Sequence, residues 1–220
     1  MTAAPASTLT TRHCAQESGT PDLRLVVSRL LAGYRQTHPG TRWSLVTSLR
    51  GAMIDGLRDG QFDLAICEAQ NEDDITNTPL MREPLHLALP SGHPRADKAP
   101  MRPADLAGIP YIGLHRSMGT SAEAQRFFAA GEAHPAPVVE VNDTHLVPHL
   151  VSTLTGFGIT PASVTPAGAP VVTVDTEPGL TRQISLAHLT TRTLPPATDS
   201  FVAFLTERWQ AARDGRSGTS

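Results

Sequence analysis

A chain of 220 residues with 40% hydrophobic and 18% charged residues has the composition of an ordinary globular protein, with enough apolar material for one large core or two smaller ones. Its formal net charge of −3, with 18 Lys and Arg against 21 Asp and Glu and no basic run, excludes the charge excess that nucleic-acid phosphates demand. No apolar stretch approaches the roughly 20 residues of a membrane span, no basic and then apolar leader opens the chain, and Cys14 and Cys67 are too few for a disulfide framework.

In chain order, residues 8–15 read as a Thr-rich strand. A helix follows in which Leu23, Val26, Val27, Leu30, Leu31 and Tyr34 recur at offsets of three and four, on one face. Thr20 can cap its free amides, Pro21 suits the first helical position and Asp22 complements the dipole. His38, Pro39 and Gly40 stop it. Residues 43–47 form a second strand, residues 52–58 a short helix carrying Met53, Ile54 and Leu57, and Asp59-Gly60 turns into an apolar strand over 62–67. This β-α-β-α-β run points to a parallel sheet covered by helices. After an acidic loop at 71–74 comes a strand at 85–89, and Pro90-Ser91-Gly92-His93-Pro94 marks a boundary.

The alternation then resumes. A short helix is expected at 104–107, a strand at 109–114, a helix at 121–130, a strand at 138–141 and a helix at 144–155 ended by Gly156. Three short strands at 159–160, 171–174 and 183–188 precede a closing helix marked by Phe201, Phe204, Leu205 and Trp209. Residues 1–6 and 214–220 are expected to lie outside the fold.

In parallel α/β sheets ligands bind outside the carboxyl ends of strands, where helix N-termini point. Loops are therefore the candidate ligand-binding positions: Gln16, Ser18, Gly19 and Thr20 after the first strand, Ser48 after the second, and His115, Ser117, Met118 and Thr120 before the helix at 121. Asn142 and Thr160 are weaker candidates. Each has a plain structural reading beside the functional one, since Thr20 can be a simple cap and small polar loops are usually turns. His145 and His149 share a helix face, yet no Glu follows His145, Pro148 intervenes, and a pair without further ligands reads as a solvated face. No Gly-x-Ser-x-Gly elbow, phosphate loop or dinucleotide fingerprint occurs, so no catalytic residue, metal or cofactor is expected.

Four segments carry a resemblance. They are Leu30-Leu31-Ala32-Gly33-Tyr34-Arg35-Gln36-Thr37-His38-Pro39-Gly40, Gly56-Leu57-Arg58-Asp59-Gly60-Gln61-Phe62-Asp63-Leu64-Ala65-Ile66, Glu83-Pro84-Leu85-His86-Leu87-Ala88-Leu89-Pro90, and Leu154-Thr155-Gly156-Phe157-Gly158-Ile159-Thr160-Pro161-Ala162-Ser163. In this order and spacing the chain resembles the effector-binding domain of LysR-type transcriptional regulators, itself similar to type 2 periplasmic binding proteins. The resemblance implies an α/β fold of two Rossmann-like lobes with a ligand cleft between them, joined by two crossover strands near Pro84 and Leu186. Residues 7–84 and 187–213 would form lobe I and residues 85–186 lobe II.

The implied function is sensing of a small molecule by cleft closure, in the cytoplasm, by a homo-oligomer in which the first helix of lobe I packs antiparallel on lobe II of a neighbour. It also puts Cys14 and Cys67 on adjacent strands, as buried thiols or a redox pair. The family's winged helix-turn-helix has no counterpart here, so neither DNA nor a membrane is an expected direct partner of this chain. An anionic effector is expected to bridge the turn at 18–20 and the turn at 117–121, both of which lead into helices with free first amides. A free-standing solute-binding protein and, more remotely, an enzyme on this fold are the rival readings.

Overall fold

The computed structural model describes residues 10–15, 21–161, 164–165 and 168–214. Strand β1 (Thr10–Ala15) pairs in parallel with β2 (Arg42–Val46) and with β3 (Leu64–Glu68), and the crossovers are helices α1 (Pro21–Thr37) and α2 (Arg50–Arg58). Two long strands follow: β4 (Ile75–Pro90) and, near the end of the chain, β9 (Leu180–Leu189). They pair antiparallel from Ile75↔Leu189 to Leu85↔Leu180, and β3 pairs antiparallel with β9.

Beyond that ladder β4 pairs with β7 (Gly158–Pro161) and β8 (Val171–Val174), both antiparallel. Strands β5 (Tyr111–Leu114) and β6 (Pro137–Val141) form a parallel pair, tied to the large sheet by the Tyr111↔Phe157 bridge. Helices α3 (Gly119–Ala130) and α4 (Leu146–Leu154) belong to this half, and α5 (Pro196–Asp214) returns to the first.

The two-residue period of the strands sorts the core. Leu64 and Ile66 of β3 pack with Val27, Tyr34, Phe201 and Leu205 of α1 and α5, whereas Ala65 and Cys67 pack with Met53, Ile54 and Leu57 of α2. In the other half, Leu85, Leu87 and Leu89 of β4 meet Ala124, Phe127 and Phe128 of α3, while Ala88 meets Val147 and Val151 of α4. Helices thus cover both faces of each half, and β4 and β9 run through both halves.

Several expectations shift. The strand placed at 85–89 is one 16-residue strand, because its first half finds a partner more than 100 residues away in β9. Pro79 obscures that half locally; the ladder accommodates it at a register shift between Pro79 and Met81. Helix α4 is shorter than 144–155, and Thr155, at φ 53°, takes the left-handed closing position assigned to Gly156. Gly156 is needed for a different reason, since a Cβ there would lie 2.5 Å from the Pro110 carbonyl oxygen. Helix α3 starts two residues early, at Gly119, which draws Thr120 into its first turn, and Asp214 still belongs to α5.

Tyr111 packs against Phe128 and Phe157, with ring centroids 5.1 Å away in both cases. Burial, reinforced by the charge of Glu140, pushes its phenol up to about 12. Because the folded value lies above that of the unfolded chain, this contribution to stability is complete below about pH 10 and is lost between about pH 10 and 12. Tyr111→Phe is therefore expected to flatten the alkaline arm of a stability-versus-pH curve measured by urea unfolding. An unchanged alkaline arm would show that the phenol ionises freely in the folded chain.

Candidate functional site

At the carboxyl end of β3, Glu68 turns its carboxylate inward and is 4% exposed. The Thr120 hydroxyl, on the first turn of α3, donates to its Oε1 at 2.7 Å. This bond ties the first half of the molecule to the second, so the strand ends of the two halves face each other here. Arg182 of β9 completes the cluster. Its Nη1 donates to Glu68 Oε1 at 2.5 Å and to Thr120 Oγ1 at 3.0 Å, and its Nε donates to Glu83 Oε2 at 2.7 Å. Nη2 lies 2.6 Å from the same Glu83 oxygen. Ladder geometry explains the fit, because Glu83 and Arg182 are direct register partners on β4 and β9.

All four residues are at most 4% exposed. Two carboxylates face one guanidinium, so the cluster is formally negative, and isolated buried charge of this kind persists only when paired and hydrogen-bonded. Glu123, further along α3, feels it: desolvation raises its carboxyl above the ordinary range, the charge of Arg126 opposes the shift, and Glu68 adds to it. Behind Glu68, Arg50 donates from Nε to the Glu68 carbonyl at 2.9 Å and pairs with Glu72, fastening the start of α2 to the end of β3.

Gln16, Ser18, Gly19 and Thr20 lie outside the described residues. Ser48 is half-buried just ahead of α2, whose N-cap Leu49 has no capping side chain. His115 and Ser117 satisfy one another, with 2.7 Å between His115 Nδ1 and Ser117 Oγ, as a turn does. Met118 points into the apolar cluster with Ile112 and Val147, and Thr120 spends its hydroxyl on Glu68. The turn at 117–121 is therefore more internally committed than its sequence suggests. The pairs Leu114↔Val141 and Tyr111↔Phe157 set β5, β6 and β7 in step, which brings His115, Asn142 and Thr160 to a common sheet edge.

Along that edge Thr160 Oγ1, Thr144 Oγ1 and His145 Nε2 are buried and have no hydrogen-bond partner among the described residues. His149 is exposed, and no group of three or more metal-ligating side chains occurs among the described residues. Cys14 stands opposite Ala65 in the register, two positions along β3 from the buried Cys67. Sequence reasoning missed Glu68, Glu83 and Arg182 as site residues. Their one signal was a charge placed at an inward position of a strand.

The sequence profile of the LysR substrate binding domain matches residues 20–210. The chain belongs to this family. In solved structures, the effector binding domain of QuiR in complex with shikimate is similar over 93% of this chain and 99% of that one, with 25% identity and a TM-score of 0.83. The regulatory domain of Synechocystis PCC6803 CcmR in complex with 2-PG superposes over 90% of this chain and 96% of its own, at 19% identity and TM-score 0.78, a likeness of fold. Both agree with the periplasmic-binding-protein-like type 2 fold of LysR substrate-binding domains.

Among curated proteins, the HTH-type transcriptional regulator CfxR of Cupriavidus necator is 25% identical over 186 residues, 81% of this chain. The chain spans 58% of the length of that relative. No helix among the described residues is long and apolar enough to cross a membrane.

Proposed function

We propose that this LysR substrate-binding domain senses a small anionic effector in a cleft between lobe I (7–84 and 187–213) and lobe II (85–186), acting in the cytoplasm by binding and not by catalysis. The observation that supports this most is the Thr120–Glu68 bond, a direct polar contact between the halves at the carboxyl ends of the strands. An effector changes the balance between open and closed lobes only through contacts that it makes better in one of them. The loop holding Gln16, Ser18, Gly19 and Thr20, together with Ser48, supplies contacts from lobe I. His115, Ser117, Asn142 and Thr160 supply those from lobe II. Lobe rotation would then be read by further parts of a longer regulator.

Calorimetry with a panel of small carboxylates on the purified chain is expected to find at least one micromolar ligand. Thr20→Val, compared on folded protein, is expected to weaken it about tenfold, in line with the loss of one charge-assisted hydrogen bond. A panel without a binder, or a Thr20 variant that binds as tightly as the parent, would sink the cleft assignment.

Self-association through α1 and the lobe edges belongs to the same reading. Leu45 and Val46 on edge strand β2 are 52% and 40% exposed, and Val138 on edge strand β6 is 59% exposed. A groove of about 440 Å³ opens between α3 and β6 beside Tyr111, Gln125 and Glu140. Sheet edges are ordinarily covered or carry charged residues. Light scattering at high micromolar concentration is expected to give twice the 23.4 kDa chain mass. A monomer at that concentration would refute the packing.

A further inference from the structure

We infer that Glu68 determines effector specificity: it holds the amino end of α3 as an internal anion, limits the effector to one anionic group directed at lobe I, and leaves the lobe II edge to uncharged hydrogen-bonding groups. This rests on the cleft reading above and narrows its ligand class.

Three independent observations carry it. First, Glu68 is where an effector anion would have to be to use α3. A Cβ built on Gly119, the first residue of that helix, would lie 1.7 Å from Glu68 Oε2 and 2.7 Å from its Cδ. The carboxylate thus lies against the helix start, at the positive end of the dipole where anions are favoured. Thr120, the next residue, adds its hydroxyl. Second, Arg182 is already engaged with two carboxylates. Its Nε donates to Glu83 and its Nη1 to Glu68, and its Nη2 lies 2.6 Å from Glu83 Oε2 without a hydrogen bond of its own, so one guanidinium charge already faces two carboxylate charges. A second effector carboxylate would meet an uncompensated negative charge and would have to strip the guanidinium from one of them, the kind of repulsive element that sets specificity.

Third, the neighbouring edge offers unspent neutral groups. Thr160 and Thr144 are 0% and 1% exposed, and their hydroxyls have no partner among the described residues. Buried polar atoms left so are costly, and a ligand hydroxyl or amide can satisfy them. Glu68 Oε2, likewise buried without a hydrogen bond, accepts from a donor but repels an anion. The class that fits is a monocarboxylate bearing hydroxyl groups; a dicarboxylate does not.

The experiment titrates the full chain by calorimetry with two sets of probes, the hydroxylated monocarboxylates shikimate and quinate and the dicarboxylates succinate and fumarate. The parent is expected to bind the better hydroxylated acid at least about tenfold more tightly than either dicarboxylate. Glu68→Gln keeps the shape and an acceptor oxygen while removing the charge, so it is expected to close most of that gap by strengthening the dicarboxylates. Thr160→Val, which leaves Glu68 untouched, is expected to weaken the hydroxylated acid alone. A parent that binds dicarboxylates as tightly, or a Glu68→Gln ratio equal to that of the parent, overturns the inference with the cleft reading intact. A parent that binds neither set overturns both.

Discussion

Replacing Arg182 by Met is expected to cost about 3–5 kcal/mol of stability, the usual consequence of removing one partner from a buried ion pair. The Arg182 side chain is 3% exposed and stands between two Glu side chains that are each 5% exposed. Without it Glu68 and Glu83 keep their burial and lose the cation that stands between them, a loss that burial makes costly. For a chain of this size each kcal/mol moves the melting temperature by roughly 2–4 °C. Thermal unfolding near pH 7 is therefore expected to show a fall of about 10 °C. Met fills much of the same volume, which keeps the comparison electrostatic.

The decisive control is the triple variant with Glu68→Gln and Glu83→Gln added, which removes all the charges together. It is expected to recover most of the loss, because a buried ionic cluster and its neutral counterpart often differ little. An Arg182→Met chain within about 1 kcal/mol of the parent would show that water reaches these carboxylates, an outcome more typical of a surface pair.

The second large effect is expected from Gly119→Ala. Alanine in place of glycine normally favours a helix by up to about 1 kcal/mol. Here the added methyl would lie 1.7 Å from a Glu68 oxygen, and Glu68 Cβ, 2.8 Å away, blocks the retreat. Thr120 and Arg182 hold the other oxygen. Either the carboxylate leaves its partners or α3 moves off β3, and overpacking of this kind costs about 1–3 kcal/mol and sometimes more. A destabilisation near 3 kcal/mol in urea unfolding, opposite in sign to helix propensity, is the expected result. In a Glu68→Ala background most of that penalty should vanish, since the two positions are in contact and their effects should not add. Equal penalties in both backgrounds would place the clash elsewhere.

These two residues show where sequence reading stops. The β-α-β-α-β run, the helix faces of Val27, Tyr34, Phe201 and Leu205, and the apolar strand around Leu64 and Ile66 are all legible, because amphipathic periods of two and 3.6 are imposed by burial on every residue of an element. Pro-Gly punctuation and the spacing around Gly156 and Gly158 carried the family resemblance for the same local reason. Glu83 and Arg182 are 99 positions apart, and Glu68 and Thr120 are 52 apart. No local period encodes such a meeting.

Strand register decided it, and that register is set by pairing along all of β9 and the Ile75–Leu85 part of β4, including a shift at Pro79 that no turn signal announces. The same pairing turned a five-residue strand into one of 16 residues that passes through both halves. Composition and periodicity by themselves determined the α/β class and the order of its elements, since these depend on which face of each element avoids water. The tertiary structure alone decided that a buried carboxylate closes the start of α3, because that depends on the summed geometry of three strands and a helix, and a lone Glu at a strand end carries no mark of the cation it will meet.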